Sequence, residues 1–365
     1  MKKNLFTLVI FSFLTCFFSC KEDDSIKIGV ILPLTGAASE IGNNILDGII
    51  ISSEYYDSIS SKKFSLIIED SKLDAKQAIS AANKLITVDK VKAIIGLASS
   101  TEALAVAPIC EKNKIPMISS TASTPLLSTA GDYVFRIYPS DVYDGKILAN
   151  FANEIKKLKT VSILYLNNDF GVGLKNNFIT NYINGGGKVE QVETFLPNDI
   201  DFKTQLTKIK NKNSDALLVI AIDMQYLNII KQIRELNIKS QILAPVTFDN
   251  PILVEKLGNA ADNIVYSRPK YTTDQKTSQE KIFKEKYFEL RNSAPPLLTA
   301  LGYDTYYILC EAMRKVDFNQ QMIKEQLYKT NCDGVSGKIK FDENGDIIPE
   351  IELMIIKDTK STVYE

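Results

Sequence analysis

The sequence predicts an α/β protein built from two doubly wound halves, and three observations lead there. Short apolar runs of strand length alternate with stretches whose apolar residues recur at helical spacing, as parallel βαβ units require. One such unit, residues 91–125, places a hydroxyl-rich turn after each of its two strands. After Tyr138-Pro139-Ser140-Asp141 the alternation restarts in the same order, with no visible sequence repeat.

The elements of the first half follow one another plainly. Residues 26–32 alternate and run into Pro33-Leu34-Thr35-Gly36, a strand and its turn, and a helix then extends to about Asp57. Residues 64–69 form the second strand. Ala75, Ala78, Ala81, Ala82 and Leu85 lie on one face of a helix over 74–88. In the central unit, strand 93–95 leads through 96–101 to a helix over 102–113, strand 115–118 and a second turn at 119–124. A further strand covers 133–137. Ligands of open α/β sheets bind at the carboxyl ends of the strands, where both turns lie. The first turn also opens a helix, whose free N–H groups and dipole favour an anion. Ser99, Ser100, Thr101, Ser119, Ser120, Thr121 and Ser123 offer hydroxyls for a small carboxylate, or else serve as helix caps.

In the second half, helices are expected over 144–158, 173–182, 202–210 and 225–236, and strands over 161–166, 189–195, 216–220 and 241–244. Residues 167–171 read as a turn. Three helices follow (281–290, 299–316, 322–329), then strands 338–341 and 347–356 about Asn344-Gly345.

Composition narrows the function. The 365 residues suffice for two cores, and 45% hydrophobic with 24% charged residues is ordinary for a globular protein. Lys plus Arg number 43 against 44 Asp plus Glu, so no basic excess points to nucleic acid. There is no histidine, which removes Ser-His-Asp and Cys-His catalysis and His-ligated zinc together. Gly171-Val172-Gly173 lacks the third glycine of a dinucleotide loop, Gly337-Lys338 is not a P-loop, and no G-x-S-x-G occurs. Asp342, Asn344 and Asp346 imitate the start of a calcium loop, but Ile347 stands where its glycine belongs. No enzyme, cofactor or metal is expected.

Residues 1–20 read as a signal segment. Lys2 and Lys3 precede an apolar run from Leu5 to Phe18, too short for the roughly 20 residues of a spanning helix. The run ends in Phe18-Ser19-Cys20, which resembles a bacterial lipoprotein cleavage box with Cys20 as the acylated residue, although Phe17 stands where Leu is usual. Lys21-Glu22-Asp23-Asp24 is a charged tether. Cys110 lies on an apolar face, while Cys310 and Cys332 flank one segment and are candidates to pair.

The order IKIGVILPLTG, IIED, AIIGLASS, APICEKNKIPMIS, GDYVFRIYPSD, ILYLNNDFGVG, DFKTQLTKIK and GKIKFDENGD resembles the branched-chain amino-acid binding proteins, the type I periplasmic solute-binding family, over about residues 26–357. The resemblance implies two Rossmann-like lobes, 26–139 with 270–348 and 140–269 with 349–365. Three crossovers would join them near Pro139, Pro269 and Ile348, with a ligand in the cleft and hinge closure around it. It selects Ser100, Thr121 and Ser123 for the ligand carboxylate, Asp141 as a polar second-lobe position, Phe170 as the covering aromatic (commonly Tyr) and Ile41 as a first-lobe contact. The family's acid for an α-ammonium group is replaced by Val246, with Thr247 and Asp249 nearby. Asp223 either takes over that role or caps a helix.

The function expected is capture of a small carboxylate-bearing solute, an amino acid or related organic acid, for delivery to an ABC permease. The protein would be lipid-anchored in the cell envelope, on the periplasmic face or the outer-membrane surface. A ligand-sensing module that signals through a partner receptor is the alternative.

Overall fold

The computed structural model describes residues 25–365 except 37, 223, 272–276 and 317, so residues 1–24, with Cys20 and most of the tether, lie outside the described residues. Strands β1 (Ile26–Leu32), β2 (Phe64–Asp70), β3 (Ala93–Gly96), β4 (Met117–Ser119) and β5 (Val134–Arg136) form one sheet in the order β2-β1-β3-β4-β5. All its neighbours pair in parallel. Alternation along the strands sends Ile28, Val30, Leu32, Ala93 and Ile95 to one core and Ile31, Ile94 and Met117 to the other. Helices α1 (Ser39–Ile59) and, from late in the chain, α10 (Leu297–Arg314) and α11 (Gln320–Leu327) cover the first face, while α2 (Ala75–Lys84) and α3 (Ser100–Asn113) cover the second. A methyl at Gly48 would strike the Thr299 carbonyl, and one at Gly302 the Ile45 carbonyl, so α1 and α10 meet backbone to backbone.

The second sheet has the order β14-β13-β10-β9-β8-β6-β7. Strands β6 (Thr160–Leu166), β7 (Lys188–Phe195), β8 (Ala216–Ile220), β9 (Gln241–Ala244) and β10 (Val265–Pro269) run parallel. Strands β13 (Ile351–Lys357) and β14 (Lys360–Val363) are added antiparallel at the edge. Leu164, Leu217 and Val219 face one core, and Ile163, Leu218 and Ile220 the other. Its helices include α4 (Asp141–Asn150), α5 (Asp169–Asn184), α6 (Lys203–Lys210), α7 (Gln225–Glu235) and α8 (Pro251–Leu257), and α9 (Ser278–Arg291) returns to the first sheet's side. The chain passes between the sheets after β5, after β10, and between the hairpin β11–β12 (Asn331–Gly334, Gly337–Lys340) and β13. The fold class is α/β with two doubly wound lobes.

Several local expectations change. The expected helix over 144–158 begins at Asp141 and gives way to a π-helical turn at Phe151–Ile155. The expected turn at 167–171 is the start of α5, because the Asn168 side chain accepts the Gly171 N–H at 2.8 Å and caps the helix. The hairpin about Asn344-Gly345 shrinks to a single bridge between Phe341 and Ile347. The strand at 337–340 pairs instead with 331–334, and β13 begins only at Ile351. The Asp342 carboxylate holds that turn by accepting the N–H groups of Asn344 and Asp346, which explains the calcium-like spacing without a cation. Helix α8 and strand β10 had no sequence expectation.

Candidate functional site

Two strand ends of the first sheet meet through their hydroxyls. Ser99 caps α3, accepting the Glu102 N–H at 3.2 Å while its own hydroxyl donates to Glu102 Oε2. Ser100 Oγ accepts the N–H groups of Ser123 (3.3 Å) and Thr124 (3.1 Å), stitching the turn after β3 to the turn after β4. Both acceptor positions of Ser100 are thereby filled, and its proton is left to give away. The Thr121 hydroxyl donates to the Ala98 carbonyl at 2.8 Å, and Ser119 likewise to Leu97. Thr121 therefore braces the turns with its side chain. The first-turn N–H groups of Ser100 and Thr101 have no acceptor within α3, the usual condition for holding an anion.

The acid on the other side is attached directly to this turn. The Asp141 N–H donates to the Ser123 carbonyl at 2.8 Å, and Asp141 opens α4. Both its carboxylate oxygens are buried without a hydrogen-bond partner among the described residues, as are Thr124 Oγ1, Tyr138 Oη, Ser140 Oγ, Asp144 Oδ1 and Ser267 Oγ. Burial and the Asp144 charge hold the Asp141 carboxyl well above the usual carboxylate range, against the pull of the Arg136 charge. Burial pushes Asp144 up to about 6. Gly173 packs closely against this group: a methyl there would stand 3.1 Å from Pro125 Cδ, 3.3 Å from Asp141 Oδ2 and 3.5 Å from Thr124 Oγ1.

The second lobe touches the first at several points. Thr101 Oγ1 donates to Asp169 Oδ2 at 2.8 Å, from α3 to α5. Val246, in the short 3₁₀ turn after β9, packs against the first lobe's core together with Ile41, Leu34 and Ala98. Phe170 sits one residue inside α5 and packs into the second lobe's core. The Thr247 hydroxyl donates to the Ala221 carbonyl at 2.7 Å and lies 3.0 Å from Tyr226 Oη, so it stiffens the turn after β8. The structure thus joins Ser100, Thr121, Ser123 and Asp141 through hydrogen bonds to one another's turns, packs Ile41 against the first lobe's core, and gives Thr247 a bracing bond. Asp223 lies outside the described residues.

Arg136 was missed from the sequence. It is wholly buried and makes a bidentate pair with Asp346 (2.6 and 2.7 Å), while Nη1 donates to the Thr124 carbonyl and Nη2 to Ser128 Oγ, both at 2.7 Å. A lone cation in the apolar run Tyr133-Val134-Phe135-Arg136-Ile137-Tyr138 was the available signal. Asp144 could have been flagged the same way, as a second acid one helical turn after Asp141. Cys110, Cys310 and Cys332 are free thiols, so Cys310 and Cys332 are not paired.

Residues 25–360 match the family model described as periplasmic binding protein. A leucine-, isoleucine-, valine-, threonine- and alanine-binding protein of Pseudomonas aeruginosa is 22% identical over 94% of this chain and 90% of its own length. The crystal structure of a leucine-binding protein from Thermotoga maritima superposes with a TM-score of 0.87 at 33% identity, covering 93% of this chain and 98% of that one. The branched-chain amino-acid transporter substrate-binding protein of Streptococcus pneumoniae, solved with isoleucine, gives 0.84 at 27% identity over 93% and 99%. With two lobes of the expected winding, the chain belongs to the periplasmic binding protein family, in its type I group alongside the branched-chain amino-acid-binding proteins.

Proposed function

We propose that this protein captures a small carboxylate-bearing solute, an amino acid or related organic acid, between its lobes and presents it to an ABC permease. The observation that carries the reading is the Ser100 stitch. One hydroxyl fixes two strand-end turns at the start of α3 and keeps its proton for an incoming oxygen, with Asp141 bonded to the same turn. In this reading the lobes comprise 26–139 with 270–348 and 140–269 with 349–365, and rotate about the three connecting passages. Ser100 and Ser123 give hydrogen bonds to the carboxylate, with Thr121 as a backbone donor. Asp141 faces any ammonium group, while Ile41 and Phe170 line the apolar part and Thr247 shapes the second-lobe rim. The protein works outside the cytoplasm, held at the cell envelope by acylated Cys20. Its relatives are binding proteins, and the site performs no chemistry on its ligand.

The test is a thermal-shift screen of the mature protein against the twenty protein amino acids and small carboxylic acids. A ligand that binds only the folded state raises Tm by mass action, about 2.7 kcal/mol at a hundredfold excess over Kd. At least one carboxylate should raise Tm by several degrees at millimolar concentration. No shift from any of them overturns the reading.

A further inference from the structure

We propose that Arg136 and Asp346 are positioning residues for ligand capture: their buried pair fixes the Thr124 peptide and, through it, the Ser100 hydroxyl that meets the ligand. The inference rests on the function proposed above and adds two residues that touch no ligand. Three consecutive hydrogen bonds make the path. Asp346 binds the Arg136 guanidinium through both oxygens, Arg136 Nη1 donates to the Thr124 carbonyl, and the Thr124 N–H donates to Ser100 Oγ. Ser128 closes a side loop, donating to Asp346 Oδ2 at 2.6 Å while accepting from Arg136 Nη2.

The two residues also sit where the lobes connect. Arg136 ends β5, the last strand before the first passage, and Asp346 lies on the stretch between β12 and β13, the third passage. Their backbones form an isolated parallel bridge, with the Arg136 N–H donating to the Gly345 carbonyl at 3.0 Å. Two of the three connections are therefore clamped together, and the clamp holds the ligand turn.

Stability does not account for the pair. Desolvating a guanidinium and a carboxylate costs about what their attraction returns, and well-packed apolar residues of similar volume often serve a fold as well or better. An apolar pair would leave the Thr124 carbonyl with only the longer bond from the Leu127 N–H, at 3.1 Å.

The test compares wild type with the double variant Arg136→Met/Asp346→Leu, with Asp346→Glu as a milder variant that keeps the charge pair but displaces the guanidinium. Tm, amide hydrogen exchange at Ser123 and Thr124, and affinity for the tightest binder among the twenty protein amino acids and C2–C6 monocarboxylates are measured. The double variant should keep Tm within a few degrees of wild type. It should exchange those two amides at least tenfold faster while β3 amides are unchanged, and bind at least tenfold more weakly. Should it not fold, Asp346→Glu should show the same two effects at three- to tenfold. Wild-type exchange at Ser123 and Thr124 in a folded variant overturns the proposal, whatever the ligand does. A wild-type protein that binds no compound overturns the function itself, and the exchange readout keeps the two failures apart.

Discussion

Thr101 on the first lobe and Asp169 on the second are joined by a hydrogen bond of 2.8 Å from α3 to α5. Asp169 is the first residue of α5, so the helix dipole already favours its charge there, and the Thr101 hydroxyl donates to it. In the hinge motion proposed above the bond would be lost when the lobes part, so it would weigh on the balance between open and closed forms and not on either core.

Replacing Thr101 with Val keeps the shape and removes the donor. A half-buried hydrogen bond to a charged group contributes roughly 1.5–3 kcal/mol, less with solvent at hand. Thr101→Val should weaken binding about three- to tenfold and enlarge the unliganded protein's radius of gyration in small-angle scattering, with Tm little changed. Unaltered affinity and scattering would show that closure does not depend on this bond.

Ser100 and Ser123 separate structure from recognition. Ser100→Ala strands the N–H groups of Ser123 and Thr124 in a buried turn, which costs about 2–4 kcal/mol, so stability and affinity should fall together. Ser123→Ala leaves the backbone pairing intact and should lower affinity at least fivefold with Tm nearly unchanged. Calorimetric titration and thermal melts of both variants decide, and a Ser123→Ala protein with wild-type affinity removes that hydroxyl from the site.

Much of this arrangement was legible because it is local. The βαβ pattern over 93–118, the hydroxyl turns at its strand ends and the restart after Pro139 all express short-range periodicity, and the structure realises them as β3, α3 and β4. What escaped was set by distant partners. Arg136 and Asp346 are 210 residues apart in sequence, and nothing near either one announces the other. The final strands were misjudged because Asn344-Gly345 is a sound hairpin signal, while the longer pairing of β13 with β10 is a tertiary choice. Phe170 was read in a loop because the Asn168 cap competes with the look of a turn. The hydroxyls of Thr121 and Thr247 could be counted in the sequence, but not the carbonyls that already hold them.

The proposed anchor at Cys20 can be tested apart from the fold. A single acyl chain binds membranes only marginally, so the multiple acylation of a bacterial lipoprotein is required for stable attachment. Cys20→Ser should shift the protein from the membrane fraction to the soluble fraction after cell breakage. A wild-type protein found wholly soluble refutes the lipid anchor.

The last prediction concerns Asp144, whose carboxyl is buried beside Asp141, Tyr138, Tyr226 and Ser267 and is pushed up to about 6. In the unfolded chain the group titrates near 4. Between these values the folded protein binds a proton that the unfolded chain has lost, so stability falls as pH rises through the window and stays lower above it. Two units correspond to roughly 2–3 kcal/mol. Asp141 is also held above its ordinary range and acts in the same direction, whereas Arg136 cannot relieve Asp144 because its guanidinium is spent on Asp346, Thr124 and Ser128. Asp144→Asn keeps the shape and removes both the charge and its repulsion of Asp141. The variant should match wild type in Tm near pH 4, gain on it between pH 4 and 6, and remain several degrees more stable at pH 7–8. A constant Tm difference across that range, or a variant less stable than wild type at pH 8, would mean that the folded protein holds Asp144 as a well-paired carboxylate.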